Sequence, residues 1–198
     1  MCKIASKTLS LNKQLIHLSL PLVVLSLLVI SGPVAAKLEP SVSYQQTEYQ
    51  LCAKQRVTKA LLFDVVDVGV YYADCKQAAD IFDDQPKLLR FSYLRDVTGD
   101  QFTEGADDFL RDNLPPQEKD KCLTYFNEFN TVYKDVTDGD YYDLFVLPEQ
   151  GLDLYLNNQQ LAQSDNSGCA LPYLNIWFGE ESMDSDFEEL RDQIKALN

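Results

Sequence analysis

Histidine is almost missing from this chain of 198 residues, the one copy being His17. Basic side chains are scarce as well, 17 Lys and Arg against 31 Asp and Glu. No CxxC pair occurs, and no internal repeat, low-complexity tract or linker divides the sequence. Each shortage excludes something. Nucleic acid is a poor partner, because phosphate contacts need clustered Lys and Arg. Without CxxC spacing neither a zinc cluster nor a thioredoxin-like motif is expected, and no metal or other cofactor is anticipated.

The N-terminus carries Lys3, Lys7 and Lys13 with no acid, then the apolar run "LSLPLVVLSLLVI", then "SGPVAA". A basic start, an apolar middle and small residues at Val34 and Ala36 have the form of a secretory signal peptide over residues 1–36. The apolar run is short for a membrane span and is interrupted by Pro21. Contact with a membrane is therefore expected only through this segment before its removal, and the expected location is periplasmic. His17 leaves with the leader, which excludes Ser-His-Asp and Cys-His sites and zinc sites that need imidazole. Taking 36 residues and three lysines from the whole leaves one domain, 37–198, of 162 residues with 14 basic groups against all 31 acids, a net charge of −17. Cys52, Cys75, Cys122 and Cys169 remain. In an oxidising compartment an even count suggests two disulfides, and all three connectivities stay open.

The stretch "LLFDVVDVGVYYADC" (61–75) is apolar apart from Asp64 and Asp67. Its valines, phenylalanine and paired tyrosines favour a strand, and Gly69 would cost a helix about 1 kcal/mol. Side chains three apart on a regular strand point to opposite faces, which argues against a shared-proton carboxylate pair. Val66, Val68, Val70 and Tyr72 would face one way with Leu62 and Asp64; Leu61, Phe63, Val65, Asp67, Gly69 and Tyr71 would face the other. "TEYQLCAKQR" alternates like a preceding strand, with a turn expected at Val57–Thr58. "KLLRFSYLRD" is a third strand, with Leu89, Phe91 and Tyr93 on one face. Two helices follow: one carries Phe102, Ala106, Phe109 and Leu110, and the next, after Pro115–Pro116, carries Cys122, Phe126, Phe129 and Tyr133. "YYDLFVLPEQGLDLYLNNQQLA" reads as three strands joined by tight turns. "LPYLNIWFG" reads as a short helix stopped by Gly179, and Ser185 with Glu188 as a capping box that opens the last helix. Tightly connected strands with clustered helices give an α+β domain: a large antiparallel sheet with helices packed on one face.

An arginine leading into "DVGVYYAD", then "LLRFSYLRDVTGDQF", "DGDYYDLFVLPEQGLDLYLNNQ" and "IWFGE", resemble in order and spacing the chalcone isomerase-like proteins, in particular their bacterial secreted branch. The resemblance runs from about Arg56 to Ile194. It implies an open-faced β-sandwich with an apolar cleft between sheet and helices. Plant members cyclise chalcones with an arginine, a strand threonine, a helix tyrosine and asparagine, and a late threonine. Here Arg56 matches the arginine and Asn127 the asparagine, while Val66 stands for the strand threonine, Asn175–Ile176 for the late one and Asp120 for the tyrosine. A valine cannot donate a hydrogen bond to a developing enolate, so the electrostatic stabilisation such chemistry needs is missing.

The expected function is therefore a non-catalytic pocket for a fatty acid or similar amphipathic carboxylate, as related non-enzymatic branches of the family imply. Arg56 is expected to hold the carboxylate, Val66, Val68, Phe91 and Tyr93 to form walls with Phe126, and Asn127 to contribute a polar contact. An isomerase or lyase acting on a small phenolic or enone, with Tyr93, Tyr71 or Tyr125 as acid, is the alternative. A third reading is an envelope interaction protein without a ligand.

Overall fold

A computed structural model of the chain describes residues 38–59 and 63–198. The leader and the positions of Leu61 and Leu62 lie outside the described residues. Seven strands form one antiparallel sheet in sequence order: β1 (Ser41–Tyr44), β2 (Thr47–Lys59), β3 (Phe63–Tyr72), β4 (Lys87–Tyr93), β5 (Tyr141–Leu147), β6 (Gly151–Leu156) and β7 (Gln159–Gln163). Helices α1 (Gly99–Asn113) and α2 (Pro116–Asn130) connect β4 to β5, and α3 (Asn175–Phe178) and α4 (Ser185–Lys195) follow β7. This is the expected α+β layout. The β1–β2, β2–β3, β5–β6 and β6–β7 connections are short, and strands joined by two or three residues can pair only antiparallel.

Alternation on β3 and β4 sorts the sheet into two faces. Val66, Val68, Val70, Tyr72, Leu89, Phe91 and Tyr93 join the large core beneath the helices, with Leu110, Phe126, Trp177, Phe187 and Leu190 opposite. Tyr71 and Leu88 face the other way into a smaller core with Tyr49, Phe145 and Leu147. The sheet curls, so that Tyr44 at the end of β1 stacks on Phe145 of β5 with ring centroids 3.7 Å apart. The Tyr44 hydroxyl donates to Asp153 of β6. Gly69 permits this curvature: a Cβ there would stand 2.7 Å from the Tyr71 ring and 3.0 Å from Leu51. Arg90 and Asp143 form a buried two-bond pair on this second face, at 2.6 and 2.7 Å.

Three local expectations are corrected. Val57–Thr58 does not turn; β2 runs on to Lys59. Asp184 rather than Ser185 caps α4, its side chain accepting from the Asp186 N–H. The third is at the β2–β3 pairing, where Val57 opposes Val66 but Thr58 opposes Asp64. That bulge skips Val65 and shifts the alternation. Asp64 and Asp67 consequently meet on one guanidinium, that of Arg56.

Two disulfides resolve the open connectivity. Cys52–Cys75 ties β2 to the turn after β3, and Cys122–Cys169 ties α2 to the turn after β7.

Candidate functional site

Between the large face of the sheet and the helices lies a cavity of about 190 Å³. Its floor is Val57 and Val66 of the first long hairpin, Phe91 and Tyr93 of β4, and Leu144 and Leu154 further across. Its roof is Phe102, Gly105 and Ala106 of α1 with Ile176, Trp177 and Phe187. The space exists because α1 presents small residues here. A Cβ on Gly105 would meet nothing nearer than Met183 Cε at 4.0 Å. Trp177 leans on Phe91 at 4.8 Å between ring centroids, and Phe102 stands edge-on to Tyr93 and Tyr142 at 5.4 and 5.5 Å. The end wall at Trp177 is fastened by Asn113. Its side-chain amide donates to the Asn175 and Glu181 carbonyls, and its oxygen accepts from the Glu181 N–H at 2.6 Å. "IWFGE" is thus a closure onto α1, and Gly179 is needed because a Cβ would lie 2.3 Å from Asn113 Cγ.

Among the described residues lining the cavity, Lys59 alone is charged. It stands two positions beyond Val57 on β2, at the rim, with half its side chain exposed. Its Nζ donates to Asp184 Oδ2 at 3.0 Å and to the Met183 carbonyl at 3.4 Å. Burial works to raise the Asp184 carboxyl, but the Lys59 and Asp186 N–H donors prevail and hold it below the usual carboxylate range. The phenols behave in the opposite way. Burial raises Tyr93 and Tyr133 well above the ordinary tyrosine value, and it pushes Tyr142 up to about 12 against the Lys134 N–H bond. All three remain neutral donors near neutral pH.

The expected site residues divide. Val66, Phe91 and Tyr93 meet in the cavity. Val68 is wholly buried on the same face but belongs to the core beside it. Arg56 does not guard the mouth: as the neighbour of inward-facing Val57 it projects from the opposite side of β2, where Asp67 and Asp64 hold it. Asn127 is exposed on α2 and does not line the cavity. Phe126 packs against Tyr173 at 5.0 Å, away from it. Tyr71 lies on the second face, its hydroxyl donating to the Glu39 carbonyl. Tyr125 packs against Phe126 and Phe129. Lys59 escaped the sequence reading because a turn was expected at Thr58; continued alternation from Val57 would have placed it on the cavity side.

The family model described as "Chalcone isomerase-like" matches residues 34–194. The chain belongs to the chalcone isomerase-like family. Among solved structures, the chain is similar to the crystal structure of an Arabidopsis thaliana fatty-acid binding protein. The TM-score is 0.54 at 16% identity, covering 79% of this chain and 98% of that one. At that identity the likeness is one of fold. None of the curated proteins compared matches the sequence. For this member of the chalcone isomerase-like family, the cleft of the fold is the cavity described above, with Lys59 rather than Arg56 as its cation.

Proposed function

We propose that the protein binds a fatty acid or similar amphipathic carboxylate, with the acyl chain in the cavity and the carboxylate at Lys59. The observation that carries this reading is the pairing of an apolar chamber with one cation, Lys59, at its rim among the described residues. The chamber exceeds the ~150 Å³ that suffices to hold benzene in an apolar protein cavity. Each methylene leaving water contributes about 0.8 kcal/mol. Lys59 already accepts a carboxylate partner in Asp184 and is open enough to exchange it for a ligand's. The fatty-acid binding protein of similar fold supports the same assignment.

We also propose an extracytoplasmic, periplasmic location. The basic, apolar and small-residue leader supports it, as do two disulfides that an oxidising compartment would maintain. Native mass spectrometry of the secreted protein tests both points. The polypeptide is expected to begin at Lys37 and to carry acyl-chain adducts. A protein that retains the leader contradicts the location; one that takes up no acyl chain from an excess of dodecanoic acid contradicts the binding role.

A further inference from the structure

One hydroxyl in the cavity has nothing to bond to. Tyr93 lines the chamber and is 7% exposed, yet its phenolic oxygen has no hydrogen-bond partner among the described residues. The phenols around it and the Gln101 side-chain oxygen are engaged elsewhere. The Tyr142 hydroxyl donates to the Lys134 carbonyl at 2.9 Å and accepts from the Lys134 N–H at 2.8 Å. Tyr173 gives its proton to Asn130 Oδ1 at 2.6 Å, so Tyr133, 3.1 Å from the Tyr173 oxygen, is the donor of that pair. Gln101 Oε1 accepts from the Thr98 N–H at 3.0 Å. The oxygen keeps accessible surface, since the fully buried atoms without a partner among the described residues are Tyr125 Oη and Arg191 Nε, and because Tyr93 lines the chamber it is whatever fills that space that can bond to it.

We propose that Tyr93 is a specificity-determining residue: it donates a hydrogen bond to a neutral oxygen, hydroxyl or carbonyl, borne on the ligand's chain away from its carboxylate. The cavity then selects oxygenated acyl chains over plain ones. The inference rests on the acyl-binding reading above. The oxygen is neutral because no cation among the described residues lines the interior around Tyr93, and an unpaired carboxylate buried there would be strongly disfavoured. It is distinct from the headgroup because of strand geometry. Tyr93 pairs with Val66, Val66 with Val57, and Lys59 lies two residues further along β2. Two strand spacings and two residue rises separate Tyr93 from Lys59 by on the order of 10 Å between Cα atoms. A chain anchored at Lys59 thus reaches Tyr93 with atoms well removed from its carboxylate.

The test is displacement of a fluorescent fatty-acid probe from the wild-type protein and from Tyr93→Phe. The competitors are dodecanoic acid and its positional hydroxy and keto isomers. At least one isomer is expected to bind the wild type about tenfold more tightly than dodecanoic acid, the worth of one buried hydrogen bond. Tyr93→Phe should abolish that preference, bringing the isomer and dodecanoic acid to equal affinity, and a cooperative thermal melt near that of the wild type shows that the variant is folded. Absence of any preferred isomer overturns the inference. So does a preference that survives in Tyr93→Phe, or a variant that weakens dodecanoic acid equally, since Tyr93 would then read the carboxylate. Failure of the wild type to bind the probe or dodecanoic acid removes the acyl-binding reading itself.

Discussion

Arg56 and Asp67 face each other across β2 and β3, with Nε and Nη2 donating to the two carboxylate oxygens at 2.7 and 2.9 Å. The pair sits on the side of the hairpin away from Val57 and Val66, so the cation most readily singled out in the sequence is part of a surface clasp. Asp64 adds a third bond at 2.9 Å. Arg56→Ala should therefore leave ligand affinity within about twofold. Because the guanidinium is half exposed, its removal should cost about 1 kcal/mol or less. Parallel titration of a fatty acid and thermal melting check both.

Lys59→Met should have the reverse profile. Dodecanoate affinity is expected to fall about fivefold, a modest effect because the ammonium is solvated and screened. Its methyl ester, which offers Lys59 no charge, should bind wild type and variant alike. Wild-type affinity for the acid, and not the ester, should weaken as salt rises.

The difference between these two cations marks where the sequence stops being legible. On β4, Leu89, Phe91 and Tyr93 alternate with Leu88, Arg90 and Ser92 without interruption, and both faces are buried, so pattern and structure coincide. Between β2 and β3 one unpaired residue, Val65, reverses the alternation, and no residue type announces such a bulge. The bulge brings Asp64 to the side of Asp67 and Arg56, whereas Lys59 was hidden by the turn expected at Val57–Thr58. The roof was hidden for another reason. Ala106 and Phe187 sit on apolar helix faces, and periodicity alone does not distinguish a core face from the wall of a cavity. The void depends on the small residues Gly105 and Ala106 standing opposite Val66 and Phe91, a relation between distant segments.

The disulfides should differ in accessibility. Cys122 and Cys169 are fully buried, whereas Cys52 and Cys75 are partly exposed. Graded reductant followed by alkylation and mass spectrometry should label Cys52 and Cys75 first, with Cys122–Cys169 resisting until the fold opens. Removing either bridge should cost about 2–4 kcal/mol.

Acid should loosen the turn that precedes β4. Burial tends to raise the Asp83 carboxyl, but the Ala79 N–H, Lys87 and the Gln85 N–H outweigh it and hold it below the ordinary carboxylate value. Its stabilising contribution is therefore present above the unfolded-state value near pH ~4 and is lost as pH falls through the lower folded value. Asp83→Asn should be less stable than the wild type at neutral pH and lose less on acidification below about pH 4. Denaturant melts across pH 2–7 read this directly.

Gly105 offers the sharpest test of the chamber, because a side chain there enters open space. Replacing a helical glycine with a better helix former should add about 1 kcal/mol of stability, while the leucine side chain of Gly105→Leu occupies the volume assigned to the ligand. Calorimetric titration with dodecanoic acid should show binding to the wild type and at least a tenfold loss in Gly105→Leu, with a melting temperature equal to or above that of the wild type. Equal affinity in both proteins would place the acyl chain elsewhere and contradict the cavity as the binding site.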